Sequence, residues 1–510
     1  MTRTAVITIP RIEPHRPPTG AAIVARVCQN QGHTVKCHDL NIEFFDYCKK
    51  YNIDYHAFDG VWDGFADPNL EQEQALAEFI NSWARYIADQ QYDRVLFSVF
   101  GVSGIYFAER FLEVFKPMTQ ARVAAGGMGV SYTGLKTGGL GFGARLRNAG
   151  LIDDYITGEG EIVLIKYFNG EQGPGINNDI PHQVEDLDSL PWPDYSFYEL
   201  DRYDYLTNNE REVFITGSRG CVRKCTYCDI ERYWPKFRYR SGQNIADEII
   251  HNYEHHGVTR YYFTDSLING SLKAFRDMCN KLAAYNFPTP IHWGGQYIFR
   301  PESVMSNDDF KMIKAAGGDL FFVGFETGSD RLRFEMGKKF TNADIDYQLE
   351  QFSRNRLKVT PLMFTGYITE TLEDHQANLD MFSRWQRYVA DGTINGIDLG
   401  ISLIILPGAP VERMIESHGL TFMMDSNNEP DIKLWQSSAN PNLTLHERIR
   451  RKIEIHEQAI KYAWPVWRQA ARLNDLKQMI LKNDLHNHKV EKKFFPIKAV
   501  ETNTSWETET

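Results

Sequence analysis

Short strands alternate with helices along most of the 510-residue chain, and this alternation limits the folds that the chain can adopt. In the first part, runs of β-branched and aromatic residues are each followed by a stretch in which apolar residues recur at helical spacing. Such alternation predicts right-handed crossovers and a doubly wound parallel sheet. The five predicted strands are Ala5–Ile9, Thr34–Asp39, Arg94–Val99, Arg122–Ala125 and Asp154–Thr157.

The alternation returns from Val213 to about Pro410, after a stretch with scattered Pro and Asp residues. Six strand–helix units are predicted there, which is consistent with a partial (β/α)6 barrel whose site lies at the carboxyl ends of the strands. One of the six strands starts at Val213, and the other five are Arg260–Thr264, Ile291–Trp293, Leu320–Phe325, Thr360–Phe364 and Leu399–Leu406.

Composition suggests where one domain ends and the next begins. Residues 41–70 have the composition of an insertion rich in Tyr, Phe and Asp, and the final residues are too polar to pack into a core. We predict a doubly wound domain over residues 1–169, a linker over 170–212, the barrel over 213–410, a helical C-terminal region over 411–489 and a disordered tail over 490–510.

The charge and cysteine content exclude several classes of protein. The net charge of −11 argues against a nucleic-acid partner, because backbone binding needs clustered Lys and Arg. Seven cysteines, three of them clustered, do not make a disulfide framework. The sequence has no signal-peptide core and no run of 18 apolar residues. We therefore expect a soluble protein of the reducing cytoplasm, without a membrane partner.

Three of the cysteines lie on one short loop, Cys221-Val-Arg-Lys-Cys225-Thr-Tyr-Cys228, which follows the strand that starts at Val213. Thiolates are the usual ligands of iron–sulfur clusters, and three thiolates on a four-iron cube leave one iron open. Zinc would want a fourth Cys or His, and the nearest downstream candidates are in a polar helix that should face solvent, at His251, His255 and His256. The alternatives are a zinc knuckle or three buried thiols.

Small and polar residues follow the predicted strands of the first domain. They are Pro10, Ser98, Gly101, Gly126, Gly127, Gly158 and Glu159. In doubly wound sheets, ligands bind beyond the carboxyl ends of the strands, and glycine allows a ligand to approach the backbone. These residues are candidates for binding a cofactor, with tight turns as the alternative reading of each glycine.

The cysteine loop resembles the signature of the radical S-adenosylmethionine (radical SAM) family, with Tyr227 at its aromatic position. The resemblance implies that Cys221, Cys225 and Cys228 hold a [4Fe-4S] cluster whose open iron binds SAM. It also implies a 5′-deoxyadenosyl radical made from SAM, and an electron donor such as flavodoxin or ferredoxin. In the family, the backbone of the residue at the Tyr227 position lies near the SAM adenine.

Three more segments of the barrel resemble radical SAM motifs. Glu326 matches a fourth-strand segment near the SAM ribose and methionine, and Gly366, with Glu370, matches a fifth-strand motif near the adenine. Asp265 and Ser266 stand where many members have a glycine-rich motif, although these glycines are missing here. Glu370 is equally well placed to cap the next helix. Trp293, Gln296, Arg300 and Tyr367 are candidates for the substrate space, with core packing or surface structure as the alternative.

The first domain resembles the Rossmann-like cobalamin-binding domain that precedes the barrel in one class of radical SAM enzymes. The matching pieces are Pro17-Pro-Thr-Gly20, Gly32-His33, Asp39-Leu-Asn41, Gly126-Gly127 and Gly158-Glu-Gly-Glu161. The resemblance implies bound cobalamin. Asp54-Tyr-His56 is the nearest match to the cobalt-ligating motif of cobalamin mutases, but Asp59 replaces its glycine. We treat this match as coincidence, so the lower ligand of cobalt stays unassigned.

These resemblances imply an enzyme. Our first hypothesis is a cobalamin-dependent radical SAM methyltransferase that acts on an unactivated carbon or phosphinate of a small metabolite or peptide. The second is radical ring closure, ring rearrangement or oxidation without net methyl transfer, since a fold alone does not define the reaction. The third is a cluster-containing sensor or scaffold.

Overall fold

The computed structural model describes residues 2–10, 14–62, 67–131, 140–203, 210–400, 402–424, 430–466, 477 and 494–496. The strands in chain order are β1 Arg3–Thr8, β2 Thr34–Asp39, β3 Arg94–Ser98, β4 Arg122–Gly126, β5 Asp154–Ile156, β6 Glu212–Ile215, β7 Ser218–Arg219, β8 Arg238–Tyr239, β9 Arg260–Phe263, β10 His292–Tyr297, β11 Gly318–Glu326, β12 Lys358–Met363, β13 Asp398–Leu399, β14 Leu420–Met424, β15 Pro430–Ser437 and β16 Phe494–Pro496.

Helices connect most of these strands. In chain order they are α1 Thr19–Asn30, α2 Leu40–Tyr51, α3 Asp59–Trp62, α4 Leu70–Asp89, α5 Ile105–Phe115, α6 Phe142–Asn148, α7 Gly160–Phe168, α8 Ile230–Tyr233, α9 Gly242–His256, α10 Leu272–Ala284, α11 Asn307–Ala315, α12 Asp330–Glu335, α13 Asn342–Arg354, α14 Leu372–Arg384, α15 Gln386–Ala390 and α16 Leu445–Lys461. No helix within the described ranges is long and apolar enough to cross a membrane.

The chain forms two compact units. The first contains residues 1–217, 238–264 and 287–292, and the second contains residues 218–237, 265–286 and 293–510. These units do not follow the boundaries that we predict from composition, which stay predictions. The predicted linker packs within the first unit, because Tyr195 is fully buried and its hydroxyl bonds to Thr19 and to the Phe214 carbonyl.

The first sheet is parallel, with the strand order β2-β1-β3-β4-β5. Successive side chains of a strand point to opposite faces, and each face here has its own apolar core. Ala5 and Ile7 of β1 pack with α2, α4 and α5, whereas Val6 packs with α1 and α7. The predicted doubly wound sheet is therefore confirmed, with helices on both faces.

The predicted insertion over residues 41–70 begins with a regular helix of this layer. Asp39 caps α2 by accepting a hydrogen bond from the Asn41 N–H, and Phe44 of α2 is fully buried in the core. The insertion reading was wrong for this helix because Tyr, Phe and Asp are weak helix formers, and burial against the sheet overrides that propensity.

The second sheet has the strand order β13-β12-β11-β10-β9-β6. Strand β6 pairs in parallel with β9 in the first unit. In the second unit, β10 pairs in parallel with β11, β11 with β12 and β12 with β13. Five of the six predicted barrel strands are confirmed. The sixth, Leu399–Leu406, is wrong beyond Leu399 because the chain changes partners there. The backbone N–H of Gly400 donates to the Met363 carbonyl, that of Leu403 to the Thr365 carbonyl, and that of Ile405 to the Ile432 carbonyl.

The predicted helical region over 411–489 is only partly helical. Helix α16 lies within it, but β14 pairs antiparallel with β15 and with β16. Residues 467–489, apart from Lys477, lie outside the described residues. The prediction of a disordered tail from residue 490 also lies outside them, apart from the three residues of β16.

Candidate functional site

The three clustered cysteines lie on the loop that follows β7. All three thiols are free; Cys225 is buried, and Cys221 and Cys228 are half-buried. The Cys228 N–H donates to the Cys225 carbonyl at 3.1 Å, which makes the loop turn tightly. The thiols also lie close enough to influence one another electrostatically. The predicted ligand set is therefore brought together on one loop.

The environment of Cys225 and Cys228 favours the neutral thiol until a metal binds. Burial raises the pKa of Cys228 to about 11, and burial also raises the pKa of Cys225. Metal binding to thiols releases protons, since thiolate is the ligating form. Within the described ranges, no group of three or more His, Cys, Asp or Glu side chains is arranged to hold a single metal ion.

Glu326 lies at the end of β11 in an unusual backbone conformation. Its φ is +60°, and the pairing of β11 with β12 shifts register between Gly324 and Glu326. Such bulges redirect a side chain, and left-handed non-glycine residues concentrate at functional sites. A Cβ on Gly324 would collide with the Glu326 carboxylate and the Lys338 amine, so glycine there leaves room for both.

The Glu326 carboxylate accepts two hydrogen bonds. The Tyr227 hydroxyl donates at 2.8 Å, and the Lys338 ammonium lies 2.7 Å from the same oxygen. The Tyr227 ring lies 5.0 Å from the Phe364 ring. Burial, followed by the Glu326 charge, raises the pKa of Tyr227 well above its ordinary value, so its hydroxyl stays a proton donor. Tyr227 of the cysteine loop and Glu326 of β11, both predicted site residues, are thus joined by a hydrogen bond.

Lys338 is a site residue that the sequence does not identify. Only 14% of its side chain is exposed, and the Thr226 N–H donates to the Met336 carbonyl and brings this segment to the cysteine loop. Burial lowers the pKa of Lys338, but the charges of Glu326 and Cys225 outweigh burial and raise its net pKa. Lys338 is therefore a fixed positive charge near the thiols. No local pattern marks it among the other lysines of the chain.

The other predicted SAM-site residues occupy mixed positions. Asp265 is buried and accepts from the Ser218 hydroxyl at 2.5 Å, which fastens the strand before the cysteine loop, whereas Ser266 is exposed. The Gly366 N–H donates to Glu370 at 2.7 Å, and Glu370 also pairs with Arg451 at 2.9 Å. Glu370 therefore fastens its own turn and does not cap α14, whose cap is Thr371.

The four candidates for the substrate space fall into two groups, core residues and residues with accessible side chains. Trp293 is buried and donates to the Ala316 carbonyl, and Tyr367 is buried with its hydroxyl 2.7 Å from Thr226, so both belong to the core. Gln296 and Arg300 are half-buried in and just after β10. These two are the members of the set that have accessible side chains.

In the first unit, one of the predicted cofactor residues, Ser98, lies at the switch point of the sheet. The order β2-β1-β3-β4-β5 has its switch point between β1 and β3, and ligands bind beyond the carboxyl ends of such strands. Ser98 ends β3 and Gly126 ends β4. Gly127 has φ +103°, and a Cβ there would lie 2.4 Å from the Val99 carbonyl oxygen, so its role is a tight turn.

The same edge of the sheet exposes large apolar side chains. Phe100 is 63% exposed, Val102 is 48% exposed and Met128 is 38% exposed. A Cβ on Gly101 would meet open space, and the Thr8 hydroxyl at the end of β1 is buried without a hydrogen-bond partner among the described residues. We define the apolar edge as Phe100, Val102 and Met128. Together with Thr8, it is suited to a flat, largely apolar ligand.

Glu159, which we predict to bind a cofactor, has its carboxylate in a buried ion pair. Its carboxylate accepts from Arg238 in a bidentate pair at 2.5 and 2.8 Å and from the Val184 N–H at 2.6 Å. Both side chains of the pair are 6% exposed. Glu159 therefore has a structural contact partner 79 residues away in the sequence.

His56, the residue that we set aside as a candidate cobalt ligand, is exposed, and its Nδ1 lies 3.6 Å from the Asp59 carboxylate.

The Glu159–Arg238 pair yields a stability prediction. Arg238→Met should lower the free energy of unfolding by about 3–5 kcal/mol, because it leaves a buried carboxylate without its cation. Arg384→Met removes an exposed ion pair with Asp346 and should change the free energy of unfolding by less than about 1 kcal/mol. Urea unfolding followed by fluorescence measures both. Equal losses in the two variants would contradict a special role for the buried pair.

Comparison with known proteins identifies the barrel. Residues 215–382 match the model of the radical SAM superfamily. The anaerobic magnesium-protoporphyrin IX monomethyl ester cyclase of Rubrivivax gelatinosus is 24% identical over 312 residues, which are 56% of this chain and 53% of that protein. The cytidylyl-2-hydroxyethylphosphonate methyltransferase of Streptomyces wedmorensis is 24% identical over 241 residues, 43% of each chain. This chain thus spans about half the length of these curated relatives.

Solved structures extend the similarity to both units. TsrM of Kitasatospora setae, a radical SAM methyltransferase solved with cobalamin and a [4Fe-4S] cluster, has a TM-score of 0.62 at 14% identity, with coverage of 96% of this chain and 100% of that chain. The cobalamin-dependent radical SAM enzyme OxsB, solved with aqua-cobalamin, has a TM-score of 0.63 at 16% identity, with coverage of 96% and 77%.

These matches define the class of protein. The chain is an enzyme with a radical SAM domain, and its cysteine loop lies within the matched region. Its fold is similar to the folds of TsrM and OxsB.

Proposed function

We propose that this enzyme is a cobalamin-dependent radical SAM methyltransferase that acts on an unactivated carbon, or a phosphinate, of a small metabolite or peptide. The observation that carries the cobalamin part is the apolar edge at the switch point of the first sheet. The methyl-transfer part draws support from a relative that is named a methyltransferase and from the similar fold of TsrM.

The residues present at the apolar edge fit a corrin ring. A corrin is a broad, mostly apolar macrocycle, and Phe100, Val102 and Met128 offer exposed apolar surface of that kind. Amide groups surround the ring, and the Thr8 hydroxyl is a buried polar group that has no hydrogen-bond partner in the part of the chain that the structure describes. The backbone at Gly101 faces open space, so a large ligand can lie against it.

The residues of the cysteine loop fit a [4Fe-4S] cluster, and their neighbours fit SAM. Cys221, Cys225 and Cys228 would hold the cluster as thiolates, with Lys338 as a nearby positive charge that offsets theirs. Glu326 would orient the polar end of SAM, since its carboxylate is already held in place by Tyr227 and Lys338. The buried Tyr227–Phe364 contact would exclude water from this side of the site.

The cofactors would carry the difficult chemistry. When bound, the cluster with SAM supplies a hydrogen-abstracting carbon radical, and cobalamin supplies a methyl group. The chain itself binds and orients these groups and shields them from water. Each methyl transfer would require two electrons from a donor protein such as flavodoxin or ferredoxin, one for the cleavage of SAM and one to ready cobalamin for remethylation by a second SAM. A reducing cytoplasm suits the free thiols.

A second reaction, radical ring closure without methyl transfer, is supported by one comparison. The Rubrivivax gelatinosus relative is named a cyclase and covers more of this chain than the methyltransferase relative does. SAM labelled with deuterium in its methyl group separates the two reactions in extracts of small metabolites. Label in a product that is heavier by one methyl group supports methyl transfer, whereas substrate-dependent 5′-deoxyadenosine without labelled product contradicts it.

Glu326→Gln should weaken SAM binding by about tenfold, because a charged hydrogen bond contributes on the order of 1.5–3 kcal/mol. Iron content should not change, since Glu326 is not a thiol ligand. Equilibrium dialysis with SAM under anaerobic conditions measures the affinity. Glu350→Gln is the matched control, because Glu350 pairs with Arg354 on the surface. An affinity equal to that of the parent enzyme would remove Glu326 from the SAM site.

A further inference from the structure

Glu326 lies at the centre of a γ-turn, a conformation that few non-glycine residues adopt. The Thr327 N–H donates to the Phe325 carbonyl at 2.7 Å, and the φ of the residue between them is +60°. A γ-turn with positive φ is strained, and strain of this kind persists only where the surrounding structure enforces it. The residues that enforce it here therefore set the direction in which the Glu326 carboxylate points.

Arg333 of α12 holds both ends of this turn. Its Nε donates to the Phe325 carbonyl at 3.2 Å, and its Nη2 donates to the Thr327 carbonyl at 2.5 Å. These two carbonyls flank Glu326, so one planar guanidinium spans the whole turn. The Arg333 side chain is fully buried. Its donors are therefore committed to the protein backbone and not to solvent.

Arg333 is itself fixed by further partners. Its Nη1 donates to Asp330 at 2.6 Å, and its Nη2 also donates to the Asn342 side chain at 3.0 Å. Burial lowers the pKa of Arg333 to about 10, and the charge of Asp330 opposes this effect. The guanidinium therefore stays charged at neutral pH and keeps all of its donors.

A second buried side chain, on α14, holds the end of the turn. Asn378 is fully buried, and its Oδ1 accepts from the Thr327 hydroxyl at 2.7 Å and from the Gly328 N–H at 2.6 Å. A Cβ on Gly328 would lie 2.2 Å from the Ala377 carbonyl oxygen, so this close approach to α14 requires glycine. Side chains of two helices, α12 and α14, thus bind the turn.

We propose that Arg333 and Asn378 are positioning residues for SAM, because they hold the turn that directs the Glu326 carboxylate. Neither residue needs to contact SAM. A carboxylate that is already fixed in its binding conformation loses little conformational entropy when the ligand arrives, so affinity depends on the turn as well as on the charge. This inference rests on the proposed function, which assigns Glu326 to the polar end of SAM.

The test is a double-mutant cycle on SAM affinity, measured by anaerobic equilibrium dialysis with cluster-loaded enzyme. Arg333→Lys keeps the charge beside Asp330, but an ammonium group cannot span two carbonyls as a planar guanidinium does. It should weaken SAM binding about fivefold in the parent enzyme and less than about twofold in the Glu326→Gln variant. A positioning residue loses its effect when the carboxylate that it positions is gone. Iron content should equal that of the parent enzyme throughout.

Two further variants make the test specific. Arg331→Lys is the matched control, because Arg331 lies on the same helix and donates to both oxygens of Asp374. It should bind SAM like the parent enzyme. Thr327→Val removes the hydroxyl that donates to Asn378 and changes no charge. It should weaken SAM binding about threefold, again only while residue 326 is a glutamate, and it decides the question if Arg333→Lys does not fold.

The outcomes separate this inference from the proposed function. Parent enzyme that assembles no cluster, or a Glu326→Gln variant with the SAM affinity of the parent, overturns the proposed role of this site and the inference with it. If Glu326→Gln weakens SAM binding but Arg333→Lys and Thr327→Val do not, the inference alone is overturned. Equal losses in the parent and Glu326→Gln backgrounds also overturn it, because Arg333 would then act independently of the carboxylate.

Discussion

The Cys225→Ala variant is expected to lose the iron–sulfur cluster and all cleavage of SAM. Cys225 is the most buried of the three clustered thiols and the middle ligand of the loop. Two remaining thiolates cannot hold a cube that leaves one iron open for SAM. Iron should fall from about four atoms per chain to below about one after anaerobic reconstitution. Formation of 5′-deoxyadenosine should fall to the background of a protein-free mixture.

Cys279→Ala is the matched control for this prediction. Cys279 is a fully buried thiol of α10 in the same unit, and it lies outside the cysteine loop. Its replacement removes a similar volume and leaves the three ligands in place, so iron and SAM cleavage should match those of the parent enzyme. A Cys225→Ala variant that still forms 5′-deoxyadenosine would contradict the assignment of the loop.

The second large effect is expected for Lys338→Met. This change removes the cation of the Glu326–Lys338 pair, in which the two side chains are 10% and 14% exposed. The Glu326 carboxylate is left with the Tyr227 hydroxyl alone, which should lower the free energy of unfolding by about 3 kcal/mol. Removal of a positive charge near the thiolates should also make the cluster potential more negative, on the order of 50 mV.

Two controls make the Lys338 prediction specific. Lys339→Met changes the next residue, whose side chain is exposed, and should alter neither stability nor potential. The double variant Lys338→Met with Glu326→Gln removes both charges and should recover most of the lost stability, because no unpaired charge remains buried. Unfolding curves and a redox titration followed by electron paramagnetic resonance measure the two effects. A Lys338→Met variant that matches Lys339→Met in both would refute the role of the pair.

The main features of the fold could be predicted from periodicity. Ala5–Ile9 and Val123–Ala125 are buried, with side chains in the cores on both faces of the sheet, so the parallel sheet could be predicted without long-range information. Leu399–Leu406 has the same composition, but its N–H groups bond three different partners, and composition does not reveal partners. Strands β14 and β15 were missed because β14 pairs antiparallel with β15 and with β16, and composition does not reveal these partners either.

The candidate site divides in a similar way. Cys221, Cys225 and Cys228 could be predicted because they are close in sequence and their spacing carries the chemistry. Lys338 could not be, because its position depends on the turn after α12 and on the Thr226–Met336 hydrogen bond. Glu159 reads as a ligand residue from its local motif, yet a buried arginine 79 residues later takes its carboxylate. Contacts between residues far apart in the sequence therefore determine the roles of Lys338 and Glu159.

The central claim is that one chain holds both a cluster and cobalamin. The most direct test is anaerobic reconstitution with iron, sulfide and hydroxocobalamin, followed by desalting and by measurement of iron and cobalt on the same protein. We predict about four iron atoms and one cobalt atom per chain. A Phe100→Asp variant at the apolar edge should keep its iron and lose cobalt. Parent enzyme with a full cluster and no cobalt would contradict the claim, and would leave a radical SAM enzyme whose first unit has the cobalamin-domain fold without the cofactor.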